Sequence, residues 1–216
     1  MRMRNKKWAR PELEQCHFFV QDPLSLRTHW ADEFQNHHPI QLDLGCGKGV
    51  FLSALAQQNR NINYLGIDIN YTILGLAKRN IEALFNPAPI QNVRLLFFDI
   101  RRIELILSDQ DLVDRIYINF CNPWPKGKHK KRRLTHPAQL ERYKTFLKHG
   151  GEIRFKTDDT ELFEDSISYF ESTGFTITYL TRDLLHSNFT ENITTEHEQF
   201  FTSQNIPIKF LIARLP

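Results

Sequence analysis

Apolar and polar positions alternate in blocks along this chain. Seven short runs dense in aliphatic and aromatic residues have the length and composition of strands: IQLDL (40–44), NINYLGID (61–68), NVRLLFFD (92–99), VDRIYINF (113–120), GEIRFKTD (151–158), FTITYL (175–180) and IKFLIARL (208–215). Between them, the stretches at 48–58, 70–85, 137–148 and 160–173 read as helices. Strands alternating with helices predict an α/β domain on a mostly parallel, seven-stranded sheet with helices on both faces. Only the polar segment 181–207 separates the last two runs, so the last strand is expected to be antiparallel. Residues 1–39 read as a basic N-terminal extension, and residues 40–216 as the domain proper.

Charge changes this picture because it is unevenly placed. The 216 residues carry a formal net charge of +3, yet residues 126–133 hold six lysines and arginines and residues 1–10 hold five, with no acid in either stretch. Without the first group the charge falls to −3, and without both to −8. An acidic body with its positive charge in two places is the pattern of a protein that grips a nucleic acid locally. A hydrophobic content of 41% over this length suits one globular domain. Cys16, Cys46 and Cys121 form no CxxC pair, which argues against a disulfide framework or a zinc site and fits a reducing cytosol. The nine histidines lack metal-ligand spacing, and no metal is expected. No apolar run approaches the ~18 residues of a membrane span, and none follows the basic N-terminus at signal-peptide length, so neither membrane insertion nor secretion is expected.

Candidate chemistry begins at the first strand-to-helix turn. Asp43-Leu44-Gly45-Cys46-Gly47-Lys48-Gly49 places three of the nine glycines within five residues, where an open α/β sheet offers strand ends and helix N–H groups to a ligand. The spacing misses G-x-G-x-x-G by one residue, no G-x-x-x-x-G-K-[ST] occurs, and Asp43 disfavours a pyrophosphate. A cationic ligand suits it better. S-adenosylmethionine carries a sulfonium and an ammonium and no phosphate. Asp43, Gly45 and Gly47 would meet it at the turn, Asp68 at the end of the second strand would accept from its ribose hydroxyls, and Asp99 after the third from its adenine amino group. A single strand-end aspartate is an ordinary turn or cap residue; three in register with the glycine turn favour the ligand.

The motifs MRMRNKKWA, LDLGCGKGVFL, YLGIDIN, NVRLLFFDI, INFCNPWPKGKHKKRRL, GGEIRFKTDD and TTEHEQFF, in this order, resemble those of bacterial tRNA (guanine-N7-)-methyltransferases over nearly the whole chain. The glycine turn alone says only methyltransferase, whereas the PWPK segment with its basic run is far more specific. The resemblance implies a Rossmann-like class I S-adenosylmethionine-dependent methyltransferase fold and methylation of guanine N7 in the tRNA variable loop. It places Asp43, Asp68, Asp99 and Asn122 against the cofactor. It places Lys126, Asp158, Thr195 and Glu198 against the substrate, and Lys128, Lys130, Lys131, Arg132 and Arg133 against RNA. It also implies a cytoplasmic protein and is compatible with a homodimer.

Two departures from the family pattern bear on activity. Typical members carry Glu where this chain has Asp43 and Asp68, and Asp, named as the catalytic residue, where it has Asn122. Guanine N7 presents an in-plane lone pair and no proton, so alignment rather than a general base supplies much of the acceleration. Asn122 keeps an acceptor oxygen but loses charge and exchanges its second oxygen for a donor, so weakened activity is expected. Two alternatives stay open. Asn122-Pro123-Trp124 resembles the Asn-Pro-Pro-aromatic motif of methyltransferases acting on exocyclic amines, where the Asn oxygen and a proline carbonyl accept the amine hydrogens; or the chain binds RNA without catalysis.

Several of these residues also have plain structural readings. Asp158 suits the cap of a helix starting near 159, and Thr195-x-x-Glu198 fits a capping box. Trp124 either packs beneath the rim or stacks on a base, and the basic run read alone is a solvated loop. The N-terminal arm, with Arg2, Arg4, Lys6, Lys7 and Arg10, either orders on RNA or stays a loose tail.

Overall fold

The computed structural model describes residues 6–216. The chain divides into two compact units, one ending at Asp111 and the other running from Leu112 to Pro216.

In the first unit four parallel strands lie in the order β1 (Phe19–Val20), β4 (Val93–Phe97), β3 (Asn63–Asp68), β2 (Ile40–Leu44). β2 is buried along its whole length and β3 over all but its last residue, as parallel strands covered on both faces are, which is why they read as apolar runs without alternation. Helices α3 (Val50–Gln58) and α4 (Tyr71–Phe85) follow β2 and β3. The Asn70 side chain starts α4 by accepting from the N–H groups of Thr72 and Ile73. Gly49 begins α3 at φ 70°, and a Cβ there would come within 2.9 Å of the Ala77 Cβ on α4, so only glycine permits this approach.

The segment 1–39, expected as an extension, carries structure of its own over its described part. It forms α1 (Ala9–Glu14), β1 and α2 (Trp30–Phe34). The Lys6 N–H donates to Thr72 Oγ1 at 2.6 Å, Trp8 lies against Gly75, and the Arg79 guanidinium sits 4.0 Å over the Trp8 ring. Trp30 is fully buried, and its Nε1 donates to the Ile106 carbonyl at 2.7 Å. Helices of six and five residues hold too few apolar positions to stand out in a sequence window. From Lys6 onward the basic arm is thus docked on α4, while Arg2 and Arg4 lie outside the described residues.

In the second unit the order is β5 (Val113–Asn119), β6 (Leu147–Thr157), β8 (Lys209–Arg214), β7 (Thr176–Thr181). β5 and β6 are parallel, and β8 is antiparallel to both of its neighbours, as expected for the last strand. The described strands number eight rather than seven, β1 being the addition. Helices α5 (Pro137–Lys144), α6 (Thr160–Ser172) and α7 (Glu196–Thr202) complete the unit. α5 stops short of 148 because β6 already begins at Leu147; pairing with β5 then jumps from Leu147 to Glu152 across Gly150, whose φ is 76°. Leu184, Ile208, Phe210 and Ile212 form an apolar cluster against which Phe120, Phe189 and Phe201 pack. No described helix is long and apolar enough to cross a membrane.

Candidate active site

Adjacent parallel strands bring Asp43 and Asp68 to one edge of the first unit. In the β2–β3 register Leu44 lies opposite Ile67, and the N–H groups of Gly45 and Cys46 both donate to the Ile67 carbonyl, at 2.9 and 3.1 Å. The turn is thereby tied to the end of β3. Gly45 and Gly47 have φ of 82° and 56°; a Cβ on Gly45 would meet nothing within 4 Å, and one on Gly47 only the Gly45 carbonyl at 3.9 Å. The space over the turn is open. Asp68 accepts from the Gly47 N–H at 3.3 Å and from the Asn70 N–H at 3.0 Å, which fixes its carboxylate. Burial raises the Asp68 pKa against those donors. Burial, and then the charges of Asp43 and Asp68, push the Cys46 thiol well above its usual value, so both carboxylates act on the turn.

Asp99 is more occupied than the sequence implies. β4 ends at Phe97, and Asp99 caps a 3-10 helix, Ile100–Leu105, by accepting from the Arg101 N–H. Its carboxylate also holds the Arg101 guanidinium at 3.0 and 2.6 Å, and this bond lowers its pKa. A ligand amino group at Asp99 would share it with Arg101. Beside it, Phe97 stacks on Tyr71 with centroids 3.9 Å apart.

In the second unit, β5 leads into the segment carrying Asn122. Phe120 and Trp124 have φ of 51° and 43°, a left-handed conformation that costs a bulky residue about 1–2 kcal/mol. Phe120 is held by stacking on His197 and Phe201, at 5.5 and 5.9 Å between centroids. The exposed Asn122 accepts the Trp124 N–H on Oδ1 at 3.1 Å, a turn closed by its own side chain. Pro123 and Pro125 have fixed φ and no N–H, so this rim is stiff and poor in donors.

The basic run that follows is a 3-10 helix, Gly127–Arg132. Positions three apart eclipse in such a helix, which sorts the run into rows. Lys128 and Lys131 form one row and are exposed. His129 and Arg132 form the second and flank Trp124, the histidine edge-on at 5.8 Å and the guanidinium over the ring at 5.1 Å. Trp124 thus neither enters the core nor stands bare. Lys130 and Arg133 form the third row, turned toward α6. Lys130 Nζ lies 2.7 Å from both Glu161 and Asp165. Arg133 is fully buried, donates through Nη1 to Asp165 and through Nε to the Pro123 carbonyl at 2.6 Å, and pairs with Glu161 at 3.5 Å. Arg133 therefore departs from the expected phosphate contact, because its guanidinium is enclosed and taken up by acceptors of the chain. Lys130 departs in part, being paired with two carboxylates. Lys126, Lys128, Lys131 and Arg132 remain on the surface.

Thr195 and Glu198 form the capping box of α7: Thr195 Oγ1 accepts from the Glu198 N–H at 3.0 Å and Glu198 from the Thr195 N–H at 3.4 Å. Both are buried, and Glu198 also meets Lys156 Nζ of β6 at 3.0 Å. Asp159 rather than Asp158 caps α6, accepting from the Leu162 N–H at 2.7 Å. Asp158 is half-buried, and its carbonyl accepts from Lys209 Nζ at 2.8 Å. Glu161 and Asp165 stand in no sequence motif, and Lys156, although within GEIRFKTD, reads there only as a strand position; their partners lie 28 to 42 residues away, which spacing does not report.

A family model described as "Putative methyltransferase" matches residues 37–211. A Clostridium beijerinckii protein named tRNA (guanine-N(7)-)-methyltransferase is 58% identical over 215 residues, covering 99% of this chain and 98% of that one. The chain belongs to the tRNA (guanine-N(7)-)-methyltransferase family. A member from Acetivibrio thermocellus is 52% identical over 216 residues, with 99% of each chain covered. Among solved structures, the 16S rRNA methyltransferase KamB matches with a TM-score of 0.64 at 16% identity over 86% of this chain and 92% of that one. An antibiotic-related methyltransferase matches with a TM-score of 0.60 at 16% identity over 85% and 90%. These likenesses show that this tRNA (guanine-N(7)-)-methyltransferase family member has the α/β, Rossmann-like class I methyltransferase fold, with its antiparallel last strand.

Proposed function

We propose that the chain methylates N7 of a guanine in tRNA with S-adenosylmethionine as methyl donor. That cofactor supplies an electrophilic methyl group on a sulfonium centre. The residues present fit it: the space over Gly45 and Gly47 is open, and the adjoining Asp43 and Asp68 suit a cationic, phosphate-free ligand. Asp68, oriented by the Gly47 and Asn70 N–H groups, accepts from ribose hydroxyls, and Asp99 accepts from the adenine amino group alongside Arg101. Guanine N7 needs no deprotonation, so the protein's work is alignment. Lys126, Lys128, Lys131 and Arg132 take the tRNA backbone, an electrostatic contact that carries affinity rather than sequence choice. Asn122 and Asp158 face the base, while Thr195 and Glu198 act through the fold of the α7 start. The same reading takes the cytoplasm as the compartment and a homodimer as the assembly.

One observation carries the choice of N7 over an exocyclic amine: the relatives 58% and 52% identical over the full chain are named for methylation of guanine N7. The two acceptors an amine site would use, the Asn122 oxygen and the Pro123 carbonyl, each already take one hydrogen bond, from the Trp124 N–H and from Arg133 Nε. Incubation with labelled S-adenosylmethionine and unmodified tRNA, followed by digestion to nucleosides, should give 7-methylguanosine. An N-methylated exocyclic amine would favour the other chemistry, and tRNA binding without transfer would leave an RNA-binding protein.

A further inference from the structure

The six cations of residues 126–133 are not equivalent, and Arg133 has no route to RNA. Its side chain is fully buried, and its donors go to the Pro123 carbonyl, Asp165 and, at longer range, Glu161. We propose that Arg133 is a positioning residue that clamps the rim Asn122-Pro123-Trp124-Pro125 onto α6 and so sets where Asn122 stands. The proposal rests on the methyltransferase reading above.

The rim needs such a clamp. Two of its four residues are prolines without an N–H, and the Trp124 N–H is spent on Asn122 within the turn. Phe120 and Trp124 both hold a left-handed backbone conformation that surrounding structure must maintain. The Pro123 carbonyl is the handle by which α6 reaches the rim. The planar guanidinium spreads its donors, so that Nε serves the Pro123 carbonyl while the two Nη groups serve the carboxylates, whereas an ammonium gathers its three donors at one point. Lys130, at 2.7 Å from both Glu161 and Asp165, balances the second carboxylate, so the cluster of two cations and two anions is formally neutral. That balance lets Arg133 be enclosed without an uncompensated charge.

The test separates clamp from phosphate contact. Arg133→Met, Arg133→Lys and, for comparison, Lys131→Met would be assayed for kcat and KM and for the salt dependence of tRNA affinity. Each would also be labelled with 5-fluorotryptophan, the fluorine signal of Trp124 being assigned by Trp124→Phe. Arg133→Met should lower kcat at least tenfold, shift the Trp124 signal and leave the slope of log affinity against log salt unchanged. Arg133→Lys should restore neither kcat nor signal, whereas Lys131→Met should reduce the slope by roughly 0.7–0.9, one phosphate contact. A flattened slope in Arg133→Met with wild-type kcat and an unmoved Trp124 signal would overturn the proposal. If Arg133→Met does not fold, Asp165→Asn answers the same question: a shifted Trp124 signal and lowered kcat at constant slope support the clamp, and wild-type values for both reject it. Should the wild type methylate no tRNA, the methyltransferase reading falls, while the fluorine signal and the salt slope still decide the place of Arg133.

Discussion

Lys156 of β6 and Glu198 of α7 form an ion pair at 3.0 Å with both side chains less than a tenth exposed. The same ammonium donates to the Ile193 carbonyl at 3.0 Å and to Asn192 Oδ1 at 2.5 Å. Two positions earlier on the strand, Arg154 pairs with Glu191 at 2.9 Å. Alternate residues of a strand share a face, so two cations of β6 hold successive parts of the segment that ends in the α7 capping box. The long polar stretch before β8 is strapped to the sheet. Lys156→Met leaves Glu198 buried without its cation and should cost about 3–5 kcal/mol in denaturant unfolding, part of which Lys156→Met/Glu198→Leu should recover. A loss below ~1 kcal/mol, the scale of an exposed pair, would mean the segment is anchored elsewhere.

Asp68 is predicted to carry much of the affinity for S-adenosylmethionine. Asp68→Ala should weaken calorimetric binding by about 1–3 kcal/mol, the scale of hydrogen bonds to a charged group. Because burial raises the Asp68 pKa, the carboxylate takes up its proton earlier than an ordinary aspartate as the solution is acidified. Wild-type affinity should therefore fall with decreasing pH beginning above the ordinary Asp range of about 4, and Asp68→Ala should lose that dependence.

The exposed row of the basic helix should dominate the salt response. Lys128→Met/Lys131→Met is expected to lower the slope of log tRNA affinity against log salt by roughly 1.4–1.8 and to weaken binding similarly across different tRNAs. An unchanged slope would move the phosphate contacts elsewhere on the molecule.

Asn122→Asp is expected to raise kcat/KM. A carboxylate at this position keeps an acceptor for the Trp124 N–H and adds a charged one for the reacting partners, and charge-assisted hydrogen bonds are about twice as strong as neutral ones. A tenfold gain corresponds to about 1.4 kcal/mol of transition-state stabilisation. Steady-state kinetics on unmodified tRNA would show it, and a lower kcat/KM would show that the amide donor of Asn122 is used.

The cluster beneath the rim should make stability acid-sensitive. Burial works against the charge of Asp165, but Lys130 and Arg133 outweigh it and hold its pKa below the ordinary value. The hydrogen bond from Lys130 does the same for Glu161. Depressed carboxylates contribute stability that is fully present above their unfolded values, about 4, and lost as pH falls through the lower folded ones. The stability gap between wild type and Asp165→Asn in urea unfolding should be constant above about pH 5 and shrink toward pH 3.

The sequence by itself determined the alternation of strands and helices and the meeting of the glycine turn with the Asp68 end of β3. β2 falls at 40–44 as its apolar run predicts, because a strand covered on both faces must be apolar throughout. The placement of the glycine turn, Asp43 and Asp68 at one edge is legible because it depends on position along consecutive strands, which spacing reports directly. α1, α2 and β1 were missed because they are too short for periodicity to show. What only the tertiary structure decided is which charges are free. Lys130 and Lys131 are neighbours of the same type, yet one is paired with Glu161 and Asp165 and the other is exposed, because those acids approach from α6, and that helix lies about thirty residues along the chain. A charge count sees six alike, but Coulomb pairing at under 4 Å distinguishes them, and only the folded arrangement of α6 beneath the rim creates those distances.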